Sequence, residues 1–294
     1  MRLSTWLRQH LAALRALLVL TAITGIVYPL AVYAFAQLPG LHDKAEGSLL
    51  RVDGKVVGSS LIGQSFTDAD GAALPRYFQS RPSAAGDGYD GLSSSASNLG
   101  PESIVDTLAA DPAETTLSLL STVCARSKEI GDREGVDGHR PFCTEDGVGA
   151  VLSVLGPRNA DGRVSRPTRV VSVNQACPAT PFLTAYLGVR VECAEPGADY
   201  SAGQIVPIIG DAPAEPAVPA DAVTASGSGL DPNISPEYAA IQVARVAQAR
   251  GIGPEQVREV VAAHSKGRAL GFLGEPRVDV LELNLELDRR FPVG

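Results

Sequence analysis

Ala16 to Ala36 reads ALLVLTAITGIVYPLAVYAFA, without one charged side chain. At a rise of ~1.5 Å per residue, a helix of that length covers about 30 Å, the hydrocarbon thickness of a bilayer. Nothing charged interrupts the run, which argues against a buried core helix. Ala16 and Ala36 bound it. Tyr28 and Tyr33 are amphipathic aromatics, and Trp6 and Tyr33 lie near its ends, where interfacial anchors sit. Pro29 removes a helical hydrogen bond and Gly25 adds backbone freedom, so a kinked helix packed on a partner is expected. Arg2, Arg8 and Arg15 with Ala34-Phe35-Ala36 also fit a cleaved leader. The run exceeds the usual apolar core of such leaders, so an uncleaved anchor is the reading adopted.

Arg2, Arg8 and Arg15 precede the run with no acid among them, whereas Asp43 and Glu46 follow it. The basic end stays inside, so everything beyond Ala36 is expected outside the cytoplasm. Residues 1–15 are then a short cytoplasmic N-terminus, and the bulk of the chain never meets cytoplasmic ATP.

The 294 residues, 45% hydrophobic and 20% charged, are enough for an outer globular part with its own core. Net charge is −8; without the three N-terminal arginines, 22 cations face 33 acids. That balance excludes nucleic acid as a partner class. Cys124, Cys143, Cys177 and Cys193 all lie beyond the anchor, where disulfides form. No Cys-x-x-Cys occurs and His139 is the only histidine among them, which disfavours zinc and redox chemistry. Four cysteines allow three pairings. The sequence-adjacent pairs are expected, because Cys177 and Cys193 bracket a hairpin-like stretch and Cys124 and Cys143 a Gly/Asp-rich loop.

LLRVDGKVV (49–57) reads as a hairpin turning at Asp53-Gly54. GSSLIGQSF (58–66) lacks the GxxxxGK[ST] pattern of a phosphate loop. Tyr77 to Pro101 is a long turn-rich loop whose aromatics and Arg81 argue for order. Ser93-Ser94-Ser95 carries neither a GxSxG elbow nor an SxxK motif. Helical patches broken at Pro112 are expected over 104–120, irregular surface over 131–149, and strands over 164–173 and 187–193. DAPAEPAVPA (211–220) reads as a stiff linker. Residues 104–217 thus form an inserted unit between 37–103 and 218–294.

Ser235, Pro236 and Glu237 are N-cap, first helical residue and first-turn acid of a helix closed by Gly251. Its face of Tyr238, Ile241, Arg245 and Gln248 opposes one of Ala240, Val243, Ala244 and Ala247. Pro254 opens a second helix to His264. For 279–288, Asp279 with Glu282 favours a helix, and the leucine alternation a strand; helix is the preferred reading. The fold class expected is mixed α/β (α+β), outside the cytoplasm, on one transmembrane helix, with a large disulfide-stapled insert.

TGIVYPL (24–30), GSSLIGQSF (58–66), YFQSRPSA (77–84), SNLGP (97–101), VPADAVTASGSGLDPNISP (218–236) and GRALGFLGEPRVDVLELNLELD (267–288) together resemble the C subunit of Kdp potassium-transporting P-type ATPases. The resemblance covers roughly 1–103 and 218–290. It implies a single-span cell-membrane protein without hydrolytic chemistry. Its implied partners are a potassium-channel-like A subunit, an ATP-hydrolysing B subunit and a small F subunit, in a complex that imports potassium. It further implies a catalytic chaperone that raises the ATP affinity of the B subunit. ATP enters as a ligand by that attribution alone, and potassium as the transported ion.

The chain departs from the family at Ala96, at Asn233 where DPHIS is common, at His264-Ser265-Lys266-Gly267-Arg268 in place of HTEGR, and at Asp279. The family usually joins SNLGP to VPADAVTASGSG by a short segment, so replacing 104–216 by a linker is expected to leave assembly intact. Arg81, Tyr89, Asp90, Asn98, Asp231 and Arg245 are the candidates for contact with the pump. Loop scaffolding, capping and surface pairing are the plainer roles for these residues. Gly227, Gly229, Gly271 and Gly274 fit unusual backbone angles, and His264 a helix end. The competing reading is a membrane-anchored extracytoplasmic hydrolase or binding protein, which a Ser/His/Asp constellation in one cleft would favour.

Overall fold

The computed structural model describes residues 3–293. Arg2, counted in the basic flank, lies outside the described residues. The chain divides into two compact units, one ending at Leu61 and one beginning at Ile62.

The first unit opens with α1 (Leu3–Ala22), a π-helical turn (Ile23–Val27) and α2 (Tyr28–Ala36) in one continuous helix. The helix therefore starts well before Ala16. The π turn has a cause: the Pro29 ring would press on the carbonyl four residues back, that of Gly25. Widening the turn so that Tyr28 N–H donates to Ile23 O relieves this. Leucines 17, 18, 20 and 30 are all exposed, an apolar surface that water does not tolerate on this scale. The segment Thr5–Ala36 is long and apolar enough to cross a membrane. After the short α3 (His42–Ala45), β1 (Leu49–Val52) and β2 (Lys55–Ser59) form the hairpin. Asp53 and Gly54 have φ of 48° and 77°, as its two-residue turn requires.

In the second unit, residues 62–118 are largely irregular apart from a single 3₁₀ turn at 112–114, and α4 (Leu119–Glu134) follows. The helical patches expected over 104–120 are therefore replaced by extended chain. Ser118 caps α4 through its hydroxyl, and buried Asp106 accepts from Ser118 N (2.7 Å) and Ser121 Oγ (2.8 Å). These bonds fix the start at Leu119. Gly131 to Glu134, expected as surface loop, complete the helix; Gly135 ends it with φ 69°.

Strands β3 (Val151–Leu155), β4 (Arg169–Ala176), β5 (Ala185–Tyr186), β6 (Val189–Ala194) and β7 (Gln204–Pro207) form one sheet, ordered β5-β6-β4-β3-β7. Only β4 and β6 run parallel. Leu187 and Gly188, assigned to a strand from sequence, form the β5–β6 turn, with φ of 48° and 81°. Likewise β4 starts at Arg169 rather than Val164. Leu152, Val154, Val164, Val170 and Val191 make this sheet's own core.

The chain returns through α5 (Ala220–Val223), β8 (Asn233–Ile234), α6 (Pro236–Arg250), α7 (Pro254–Ala263), β9 (Ser265–Lys266), β10 (Arg277–Asp279) and α8 (Val280–Arg290). Residues 280–290 are helical, capped by Asp279 accepting from Glu282 N at 2.9 Å. Strands β8, β10 and β9 pair antiparallel. The larger core joins Val243, Val246, Val257, Val260, Leu283 and Leu287 to Phe78 and to Ile130 of α4. Truncating such a leucine to alanine costs about 2–5 kcal/mol. The buried face of α6 is Tyr238, Ala239, Gln242, Val243, Val246 and Ala247, whereas Ala240, Ala244 and Gln248 are exposed. The two-face division drawn from sequence is thus rotated, because Gln242 turns inward to bond the backbone.

Cys124 pairs with Cys143 and Cys177 with Cys193, at sequence separations of 19 and 16. Each bridge closes a loop worth about 3 kcal/mol in the chain-entropy account. A Cys177→Ala/Cys193→Ala chain is expected to lose about that much stability by denaturant titration; an unchanged midpoint would contradict it.

Candidate functional site

Turn-rich segments 77–101 and 224–233 meet over α5, α6 and α8. The contact starts at the buried pair Phe78-Gln79. Asn284 of α8 accepts from Phe78 N (2.9 Å) and donates to Phe78 O (2.9 Å). Gln242 of α6 accepts from Gln79 N (2.7 Å) and donates to Gln79 O (3.2 Å). Two buried amides thus complete the backbone of an extended segment as a neighbouring strand would. An unpaired buried amide costs about 1–3 kcal/mol, so this pairing fixes the loop's entry.

Arg245 secures the same entry from the other side. It donates to Pro75 O (2.6 Å), Tyr77 O (2.9 Å) and Gln242 Oε1 (2.9 Å), and its Nε meets Glu134 Oε2 of α4 at 2.8 Å. Its side chain is 11% exposed and that of Glu134 0%. Nearby, Arg250 reaches Asp288, Arg76 O and Phe291 O.

Further along, Arg81 donates to Thr224 O and Ala225 O (3.3–3.4 Å) and stands 3.5 Å from Asp231. Tyr89 Oη donates to Arg81 O (2.8 Å), and burial pushes its phenol up to about 12. Ser83 Oγ donates to Gly229 O (2.6 Å) and accepts from Tyr89 N (2.8 Å). Gly229 has φ 70°, and a Cβ there would lie 2.7 Å from Ser95 O. That close approach requires glycine. Asp231 accepts from Asn233 N and Nδ2, closing its own turn.

Asp90 accepts from Ser93 Oγ (2.7 Å) and Leu92 N (2.9 Å), and these two donors hold its carboxyl below the usual range. Asn98 is exposed further on. The structure therefore gathers Arg81, Tyr89 and Asp231, sets Arg245 beneath the loop's entry, and leaves Asp90 and Asn98 at the surface.

A polar cleft of about 280 Å³ opens beside this loop, lined by Ser65, Gln79, Arg81, Tyr89, Arg126 and Arg133 among others. Burial lowers the Arg126 guanidinium, which donates to Val223 O. Ser93 faces a carboxylate rather than an imidazole. His139 is turned to Asp137 (2.6 Å) and His264 to Val260 O (2.9 Å). No nucleophile–base pair is therefore assembled around Ser93. Among the described residues, no group of three His, Cys, Asp or Glu is placed to hold a metal. The arrangement is a loop clamped by buried amides and arginines beside a polar cleft.

Gln242, Asn284 and Glu134 were not among the residues singled out from sequence. A signal for the first two existed: each is an amide at a core-facing helical position, Gln242 among Tyr238, Val243 and Val246, Asn284 among Leu281, Leu283 and Leu287. Nothing local marks Glu134.

The family model described as KdpC, K+-transporting ATPase, c chain, matches residues 10–120 and 201–289. The "Potassium-transporting ATPase KdpC subunit" of Kineococcus radiotolerans is 37% identical over 290 residues, covering 99% of this chain and 98% of that protein. The protein of the same name from Mycobacterium tuberculosis H37Rv is 39% identical over 282 residues, covering 96% and 98%. That of Gemmatimonas aurantiaca is 39% identical over 285 residues, covering 95% and 92%.

Proposed function

Because the chain belongs to the KdpC family, the c chain of K+-transporting ATPases, we propose that it is the non-catalytic accessory subunit of a high-affinity, ATP-driven potassium-uptake complex. Its partners are a potassium-binding A subunit, an ATP-hydrolysing B subunit and a small F subunit. Full-length likeness to three KdpC subunits carries this reading.

The helix Thr5–Ala36 is the anchor, with its arginine-bearing end in the cytoplasm. In that orientation the second unit lies across the membrane from ATP. The chaperone effect on ATP affinity then passes through assembly with the A and B subunits rather than through nucleotide held by this chain. Within the clamped loop, Asp90 and Asn98 face the pump, while Arg81, Tyr89, Asp231 and Arg245 hold the surface in shape. Within 104–217, α4 supports this contact through Arg126, Arg133 and Glu134, and the sheet from Val151 to Pro207 is peripheral to it.

Affinity purification of the tagged chain from its native membrane is expected to bring down large multispan subunits, and calorimetric titration of the purified chain is expected to show no tight ATP binding. Isolation of the chain alone, or stoichiometric tight ATP binding, would overturn the proposal.

A further inference from the structure

Residues 265–279 form a β-ribbon that the clamped loop does not use. At its base, β9 and β10 pair Lys266 with Arg277 and Ser265 with Val278. At its tip, Ala269 and Leu273 exchange two backbone bonds, Ala269 N to Leu273 O at 2.8 Å and Leu273 N to Ala269 O at 2.9 Å. The tip is thus a closed turn of fixed shape, with Leu270 and Gly271 at φ of 54° and 82°. It holds out three large apolar side chains: Leu270 is 82% exposed, Phe272 69% and Leu273 51%.

The polar flank has a definite sign. The ribbon carries the exposed cations Lys266, Arg268 and Arg277 against Glu275 and the buried Asp279, although the whole chain is at −8. Arg268 pairs with Glu275 at 2.5 Å and Lys266 stands 3.8 Å from Glu282, surface pairs that lipid phosphates can exchange. Arg277 carries no ion pair among the described residues. An apolar tip with a cationic collar matches one kind of surface, the boundary between headgroups and acyl chains of an anionic bilayer. Such a surface is supplied by the chain itself, whose helix Thr5–Ala36 is long and apolar enough to hold it at a membrane. Lipid phosphates are complementary to the collar, and the acidic face of a protein partner is the competing occupant that reconstitution in vesicles distinguishes.

We propose that the ribbon 265–279 is an interfacial membrane contact. Leu270, Phe272 and Leu273 enter the bilayer boundary, and Lys266, Arg268 and Arg277 meet anionic lipid headgroups. This rests on the chain being membrane-anchored, and the test reads the two separately.

The full chain carries one tryptophan, Trp6. A Trp6→Phe/Phe272→Trp chain places the only reporter at the ribbon tip. It is reconstituted into phosphatidylcholine vesicles with and without phosphatidylglycerol. Flotation with the vesicles reports the anchor; tryptophan emission reports the ribbon. The expected result is a blue-shifted emission quenched by shallow brominated lipids. The shift should be larger with phosphatidylglycerol and lost in a further Lys266→Glu/Arg277→Glu chain. Water-like emission quenched by aqueous iodide in floated vesicles would overturn the proposal and leave the anchor standing. A blue shift seen only when the other pump subunits are present would overturn it in favour of a protein contact. A chain that does not float would remove the anchored premise itself.

Discussion

Arg245→Ala is expected to remove about 3–5 kcal/mol of stability, the usual cost of stripping one partner from a buried ion pair. Glu134 has no exposed side-chain surface, so its charge would stay buried with Arg133 as its remaining cation. The backbone of Pro75 and Tyr77 loses its donor at the same time. Domains are stable by only about 5–15 kcal/mol, so this loss is a large fraction of the total. Chemical denaturation of the full chain in detergent micelles, followed by circular dichroism, measures it. A Glu134→Gln/Arg245→Met chain should recover part of the loss, because no under-paired carboxylate stays buried and Arg133 keeps Glu129 as its partner. A midpoint unchanged by Arg245→Ala would show that the pair holds nothing in place.

The same cluster explains what could be read in advance. Helix ends were legible where one residue decides them: Ser235 and Asp279 cap through their own side chains, and Gly251 adopts the positive φ that closes α6. The Asp53-Gly54 turn was legible for the same reason. The approach of Glu134 to Arg245 was not, because it spans 111 residues and depends on how α4 packs on α6. Arg245 was singled out as a possible pump contact, but a surface arginine and one buried under a loop look alike in a helical repeat. The start of α4 was missed because Asp106, 12 residues upstream of the cap, captures the Ser118 N–H. Local propensity over 104–120 pointed to helix, and those contacts override it.

The last expectation concerns how much of 104–217 the chain can lose. As read from sequence, that interval is one inserted unit and 104–216 can be replaced by a linker. However, α4 lies inside it, contributing Ile130 to the larger core and Glu134 to the pair with Arg245, while Arg126 bonds Val223 O and Arg140 bonds Val218 O. Excising 104–216 removes all of these, and their energies together exceed what a marginally stable domain can spare. We propose that the dispensable part is narrower, the sheet from Val151 to Pro207, which has its own core. Its ends are already adjacent, since Ile208 N donates to Ala150 O at 2.8 Å. A two- or three-glycine bridge from Ala150 to Ile208 therefore spans a gap the fold has closed. The cost includes the bonds Asn174 makes to Asp106 N, Ile104 O and Gly149 O, that of Gln175 Nε2 to Asp146 and that of Gly197 N to Leu108 O, each worth about 1 kcal/mol net. The chain lacking 151–207 is expected to fold with the Cys124–Cys143 bridge intact and to co-purify with its partner subunits, whereas the chain lacking 104–216 is expected to be degraded or recovered unfolded. Equal recovery of the two would show that α4 adds nothing to the core, and loss of both would show that the sheet supports it.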